Sequence, residues 1–184
     1  MSPRIVVHAD ESCLGNGRPG DTPGGAGGLI EVERPAGITR RDYFIHESDT
    51  TNNRMAIKSA IEALTLLGVG SKRLTLEFIS DSEYLVKGMN EWMRGWKRRD
   101  WKNVKNPELW QALDALAQGH DITWKWVRGH NLHAKNEYAN FLATRAASEQ
   151  RSSSGLATSG FLDWLELEKV KGNYADYDPD QLGD

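Results

Sequence analysis

Two aspartates stand where predicted β-strands end, a position where side chains of neighbouring strands can meet. Asp10 closes a run rich in β-branched residues that begins at Arg4, and Asp81 closes an alternating apolar run that begins at Leu74. Carboxylate oxygens are the ligands that hard divalent cations such as Mg²⁺ prefer in proteins. If the two strands are neighbours, Asp10 and Asp81 are candidates for a divalent-cation site.

A basic segment rich in tryptophan follows Asp81. Residues 87 to 105 carry seven basic and two acidic side chains, whereas the whole chain has a formal net charge of −3. A basic block on a nearly neutral body indicates a polyanionic partner. Trp92, Trp96 and Trp101 are interleaved with these cations. They either form a small core for a helical hairpin, which we favour for Trp92 and Trp96, or pack against the sugars and backbone of a nucleic acid.

The composition excludes several classes of protein. The chain has 184 residues, of which 39% are hydrophobic and 27% charged, as in a soluble globular protein. No apolar run approaches the ~18 residues that a membrane-spanning helix needs. A single cysteine, Cys13, cannot form an internal disulfide, which favours a reducing compartment. We therefore predict a cytoplasmic protein with no membrane association, and a small buried residue at Cys13.

Hydrophobic periodicity and turn residues predict an α/β domain over residues 1–150. Three strands (4–10, 27–32 and 41–46) come first, and a helix, a fourth strand, further helices, a fifth strand and a last helix follow. Residues 151–160 have the Ser- and Gly-rich composition of a linker. Residues 161–184 form an acidic tail with a net charge of −5 and one predicted short helix.

Four spaced motifs make residues 4–147 resemble type 1 ribonuclease H. They are Asp10-Glu11-Ser12-Cys13-Leu14-Gly15-Asn16, Thr50-Thr51-Asn52-Asn53-Arg54-Met55, Ile79-Ser80-Asp81-Ser82-Glu83-Tyr84, and Trp126-Val127-Arg128-Gly129-His130 with Asn136-Glu137 downstream. The resemblance implies an RNase H-like fold. Such a fold has a five-stranded mixed sheet, made of a three-strand meander plus two further strands, flanked by helices and carrying a basic helical protrusion.

The resemblance also implies a site in which four carboxylates hold two Mg²⁺ ions at the scissile phosphate of an RNA strand paired with DNA. On this sequence Asp10 takes the bridging position and Asp81 the strand-end position. The family's glutamate position is occupied by Ala56 and its last aspartate position by Asn140. Two of the four carboxylates are therefore replaced, and His130 takes the place of the histidine that assists proton transfer or product release.

Several groups could compensate for the two replacements. The side-chain carbonyl of Asn140 can still ligate a cation, and water can fill the position vacated at Ala56. Glu137, one helical turn before Asn140, and Glu83 are substitute carboxylates, although solvated surface charges are the simpler interpretation of both. Glu11 is a poorer candidate because adjacent strand residues face opposite ways.

By the same resemblance, a nucleic-acid surface surrounds the site. Thr51 would hold a DNA-strand phosphate at a helix N-terminus, and Asn16 and Asn52 would read the minor groove of the hybrid. The full set of candidate nucleic-acid contacts is Asn16, Thr51, Asn52, Asn53, Arg94, Lys97, Arg98, Arg99 and Lys102.

Three functions stay open. The first is a monomeric endonuclease that cleaves the RNA strand of RNA/DNA hybrids with Mg²⁺ or Mn²⁺, weakened by Ala56 and Asn140. The second is a catalytically inactive hybrid-binding module, either natural or an engineered knockout. The third is an adaptor in which the acidic tail binds a protein partner. The tail is either a solvated end or a segment that competes with nucleic acid, by folding onto the basic protrusion or by binding a partner.

Overall fold

The computed structural model describes residues 3–15, 22–68, 72–129 and 133–182. Its strands are β1 (Arg4–Cys13), β2 (Gly24–Arg34), β3 (Gly37–Glu47), β4 (Thr75–Ser80), β5 (Asp121–Trp126) and β6 (Ala157–Thr158). Its α-helices are α1 (Asn52–Gly68), α2 (Glu83–Lys87), α3 (Met93–Arg98), α4 (Pro107–Ala117), α5 (Ala134–Glu149) and α6 (Phe161–Val170), and a π-helical turn, Gly88–Trp92, joins α2 to α3. Within the described residues, no helix has both the length and the apolarity needed to cross a lipid bilayer.

The strands form one mixed sheet in the order β5-β4-β1-β2-β3-β6. The pairs β1–β2, β2–β3 and β3–β6 are antiparallel, whereas β4 runs parallel to both β1 and β5. The predicted RNase H-like class is confirmed, but the sheet has six strands instead of five. The sixth arises because residues 157–158 pair with the edge of β3 at Arg41 and Asp42.

Helices cover both faces of the sheet, and small residues on β2 let them approach closely. A Cβ on Gly27 would lie 2.6 Å from the Cβ of Leu142 on α5, so only glycine fits there. On the other face, Ala9 of β1 shares a core with Ala56 of α1. Alternate residues of β1 therefore face α5 and α1 in turn, and this alternation decides where each carboxylate at the end of β1 can reach.

The segment predicted as a linker instead lies against β3 in the structure. The Ser153 main-chain N–H donates to the Phe44 carbonyl at 2.8 Å, and the Ser153 hydroxyl accepts from the Phe44 N–H at 3.0 Å. Further along, the buried side chains of Phe161 and Leu165 in α6 pack with Tyr138 of α5. The serine-rich composition reflects side chains that bond to the edge of a strand.

The acidic tail docks on the α5 side of the sheet, so its described residues are neither a free solvated end nor folded onto the basic protrusion, two of the alternatives that the sequence leaves open. Asp180 pairs with Arg40 of β3 at 2.8 Å, and the Lys135 ammonium of α5 donates to the Gln181 carbonyl. Leu182 is buried beside Val6 of β1. Apolar contacts and ion pairs hold this tail on its own domain.

The basic helical segment is built around tryptophans. The Trp96 ring centroid lies 5.7 Å from that of Trp92 and 5.0 Å from that of Trp110 in α4. Gly88 allows this packing, because a Cβ there would lie 2.1 Å from the Trp110 ring. The core role that we favoured agrees with this packing of Trp96, while Trp92 is 37% exposed at the outer end of the row.

Candidate active site

Three carboxylates converge near the carboxyl ends of the parallel strands β1 and β4, with Asp10 and Glu11 in the last four residues of β1 and Asp81 directly after β4. Asp10 lies one residue beyond Ala9, whose partner on β4 is Ser80, and Asp81 follows Ser80 directly. One ligand oxygen from each of Asp10, Glu11 and Asp81 lies within 4.8 Å of the other two. Asp10 is buried, and the other two are partly exposed. The two predicted aspartates therefore meet, together with a third carboxylate.

Glu11 lies in this cluster, although strand alternation makes it a poorer candidate from the sequence. Asp10 pairs with Gly27, where a Cβ would face Leu142 of α5, and Glu11 pairs with the next residue, Ala26, so the Glu11 side chain points to the other side of the sheet. That side is the one covered by α1, which carries Ala56. Strand alternation thus places Glu11 on the same side of the sheet as the residue that would bear the missing glutamate.

Asn140 lies on α5, across the sheet from α1. Its side chain hydrogen-bonds to Asp10 and helps to stabilise the charged form of that carboxyl. Ala56 is fully buried in the core. The site therefore has three carboxylates from the two strand ends and one neutral amide from α5.

The carboxylates cannot all ionise easily in the absence of a cation. Burial, the charge of Asp81 and a hydrogen bond with Asp81 together raise the pKa of Asp10 to about 8, against the opposing hydrogen bonds from the Glu11 main-chain N–H and Asn140. Burial and the charges of Asp10 and Asp81 also hold the pKa of Glu11 well above its ordinary value. A donor set of three close oxygen ligands with unfavourable mutual repulsion fits a hard divalent cation.

The raised pKa of Asp10 predicts how the stability of the metal-free protein depends on pH. Between the ordinary value of 3.8 and about 8, folded Asp10 holds a proton that the unfolded chain releases. The free energy of unfolding should therefore fall with rising pH in this range, by up to about 1.4 kcal/mol per pH unit for this group. Urea unfolding of wild type and Asp10→Asn in EDTA measures the difference.

Asp10→Asn should remove the part of the pH dependence that Asp10 causes. In the wild type, Mg²⁺ should increase the free energy of unfolding more at pH 8 than at pH 6, because protons compete with the cation for the carboxylates. Parallel stability–pH curves for the two proteins would contradict the raised pKa.

Gly129 permits the position of Asp81. A Cβ at residue 129 would lie 2.4 Å from Oδ2 of Asp81, so any larger residue would displace the carboxylate. The loop after β5 thus passes directly beside the carboxylate that ends β4.

The structure does not bring every predicted site residue into this cluster. His130 and Asn16 lie outside the described residues. Glu137 is not among the three grouped carboxylates. It lies near Tyr174 instead, where burial together with the charges of Glu137 and Glu168 raises the tyrosine pKa to about 12. Glu83 pairs with Lys87 at 3.1 Å, so neither substitute glutamate is part of the cluster.

The predicted nucleic-acid residues form two surfaces. At the start of α1, the Thr51 hydroxyl accepts from the Arg54 N–H at 3.3 Å, Asn53 is exposed, and Oδ1 of Asn52 is buried with no hydrogen-bond partner among the described residues. On the basic helical segment, residues 87–105, Lys97 pairs with Asp114 at 2.7 Å. The other predicted contacts there are exposed, namely Arg94, Arg98, Arg99 and Lys102.

Comparison with known proteins gives the family. The RNase H family model matches residues 2–148. Ribonuclease H of Cupriavidus pinatubonensis is 43% identical over 153 residues, which cover 80% of this chain and 98% of that protein. The crystal structure of LC9-RNase H1, a type 1 RNase H with the type 2 active-site motif, matches with a TM-score of 0.88 and 43% identity over 98% of this chain and 93% of that one.

A more distant structure shares the fold. LC11-RNase H1 in complex with an RNA/DNA hybrid has a TM-score of 0.53 and 19% identity, covering 79% of this chain and 98% of that chain. The family model and the relatives at 43% identity cover the region that holds all three carboxylates. The chain belongs to the RNase H family.

Proposed function

We propose that this protein is an endonuclease that hydrolyses the RNA strand of RNA/DNA hybrids, with divalent cations bound by Asp10, Glu11 and Asp81. The observation that carries the proposal is the convergence of these three carboxylates within 4.8 Å, in a chain of the RNase H family. We infer Mg²⁺ as the cation, with Mn²⁺ as a substitute, because all the donors are hard oxygen ligands.

Each residue of the site would contact the cations from a different side. Asp10 lies at the centre, with Asp81 on the neighbouring strand and Glu11 on the α1 side. Asn140 offers a neutral oxygen from the α5 side, and its hydrogen bond with Asp10 favours the charged form of that carboxyl. When bound, a pair of divalent cations makes the attacking water more acidic and stabilises the leaving oxygen. Glu11 replaces the α1 glutamate, so this site has one carboxylate fewer than the family pattern instead of two fewer.

The two polar surfaces support a duplex substrate. Exposed cations on the basic helical segment can contact phosphates of one strand. At the α1 N-terminus, Thr51 and the adjacent amides suit a further phosphate, because helix N-termini attract anions. The buried Oδ1 of Asn52, which has no hydrogen-bond partner in the described part of the chain, is an acceptor beside this surface. We also propose that the protein is a monomer and that it acts in the cytoplasm, the latter in agreement with its single cysteine.

Cleavage of an end-labelled RNA/DNA hybrid tests the proposal, with Mg²⁺, Mn²⁺ or EDTA. We expect the wild-type protein to cut the RNA strand with either cation, to leave a DNA duplex intact and to be inactive in EDTA. Asn140→Asp should lower the Mg²⁺ concentration at half-maximal rate by several-fold, because a fourth carboxylate adds attraction for the cation.

If the protein were a catalytically inactive hybrid-binding module, the cleavage assay would give the opposite result. If the wild type binds the hybrid without cutting it, and only the double variant Ala56→Glu/Asn140→Asp cuts, then the chain is a binding module and the proposal is wrong.

A further inference from the structure

Strand β5 ends in a tryptophan whose polar atom contacts the site. Trp126 is 48% exposed, and its indole Nε1–H donates to the main-chain carbonyl of Asp81 at 3.0 Å. An indole has one donor, and here that donor is directed at the residue that carries a site carboxylate. Because about half of this residue is open to solvent, packing in the core does not by itself explain why the indole lies against Asp81.

The main chain at Asp81 has little other support. The last β4–β5 pair is Ser80 with Trp126, and the Val127 N–H donates to the Ser80 carbonyl at 3.0 Å. Asp81 lies one residue beyond this ladder, and α2 begins only at Glu83. Among the hydrogen bonds between described residues, the one from Trp126 is the bond that holds the Asp81 carbonyl.

Trp126 and Gly129 thus lie against the main chain and the side chain of Asp81, respectively. The indole holds the main-chain carbonyl of Asp81, and the missing side chain of Gly129 leaves room for its carboxylate. A carboxylate that must meet Asp10 and Glu11 at ligand distance depends on how its own main chain is oriented.

We propose that Trp126 is a positioning residue, which orients the Asp81 carboxylate for cation binding through the indole–carbonyl hydrogen bond. This inference rests on the proposed function, but it concerns cation affinity and can be measured without substrate. A neutral hydrogen bond such as this indole–carbonyl bond contributes about 0.5–1.5 kcal/mol net. Its removal should therefore weaken cation binding about 2- to 10-fold.

The test is calorimetric titration of the metal-free protein with Mn²⁺. Trp126→Phe keeps an aromatic ring but removes the donor, and 3-benzothienylalanine at position 126 keeps the full ring area without the N–H. Both should raise the Kd for Mn²⁺ by about 2- to 10-fold, with little change in melting temperature. Trp164→Phe, which alters a tryptophan of α6, is the matched control and should leave the Kd unchanged.

Hybrid cleavage separates this inference from the proposed function. With the Phe variant, the lost rate should return at saturating Mn²⁺, while KM for the hybrid stays unchanged. A wild-type protein that binds Mn²⁺ but does not cleave would contradict the proposed function alone. The positioning role is wrong if the Kd for Mn²⁺ is the same as in wild type, if Trp164→Phe raises it equally, or if the variants weaken hybrid binding with Mn²⁺ affinity intact.

Discussion

Glu11→Gln is expected to lower the rate of hybrid cleavage in Mg²⁺ by about 10²- to 10³-fold, since one carboxylate–cation pair near a surface is worth about 4 kcal/mol. The variant keeps the size and hydrogen-bonding capacity of the side chain and removes its charge. Single-turnover cleavage of a labelled hybrid measures the effect. The metal-free variant should be at least as stable as wild type, because burial and the neighbouring aspartates already disfavour the charge on Glu11.

Two further variants make this prediction specific. Glu83→Gln removes a carboxylate two residues beyond Asp81 that pairs with Lys87, and we expect its rate to stay within twofold of wild type. Ala56→Glu added to Glu11→Gln should recover part of the activity, because both positions lie on the α1 side of the strand ends. Equal losses in the Glu11 and Glu83 variants would refute the assignment of Glu11.

Glu31→Gln is expected to destabilise the fold by about 3–5 kcal/mol, the usual cost of removing one partner from a buried ion pair. Glu31 is fully buried and contacts Arg40 at 2.8 Å, Lys135 at 2.8 Å and His8 at 3.5 Å. Without its charge, the cations from β3 and α5 are left buried beside a neutral amide. Urea unfolding at pH 7 measures the change in the free energy of unfolding.

The pH dependence provides a second test of the same group. Burial alone would raise the pKa of Glu31, but the hydrogen bond with His8 and the charge of Lys135 outweigh it and hold the pKa below 4.5. The stabilisation is therefore complete above that pH and is lost as the pH falls through the lowered folded-state value. The difference between variant and wild type should shrink in acid. Glu33→Gln, on the exposed end of β2, should change the stability by less than about 0.5 kcal/mol at either pH.

Sequence alone could predict the end of β4 and the two aspartates, because both depend on local pattern, whereas β1 continues past the predicted end at Asp10 to Cys13. A run such as residues 74–81 indicates a buried strand wherever it occurs, and two parallel strands bring their ends together. The place of Glu11 in the cluster cannot be predicted from the sequence, because alternation gives the direction of a side chain but not what covers that side of the sheet. Which helix covers which face is decided by long-range contacts, such as the close approach of α5 to Gly27.

The tail shows a similar limit. Residues 151–160 have a flexible composition, yet their serine hydroxyls bond to β3 at Phe44 and His46. The seven acids of residues 161–184 suggested attraction to the basic helical segment. Instead, Asp180 pairs with Arg40, and Phe161, Leu165 and Leu182 are buried. Apolar burial and a few specific ion pairs therefore determine the docking, and net charge does not reveal them.

Anomalous scattering from a crystal grown with Mn²⁺ tests most directly whether Asp10, Glu11 and Asp81 together bind a divalent cation. We expect a peak between the strand ends with carboxylate oxygens of Asp10, Glu11 and Asp81 at roughly 2.0–2.3 Å, near the distances usual for small divalent cations. Peaks that are absent at saturating Mn²⁺, or that involve Glu137 or Glu83 in place of Glu11, would contradict it.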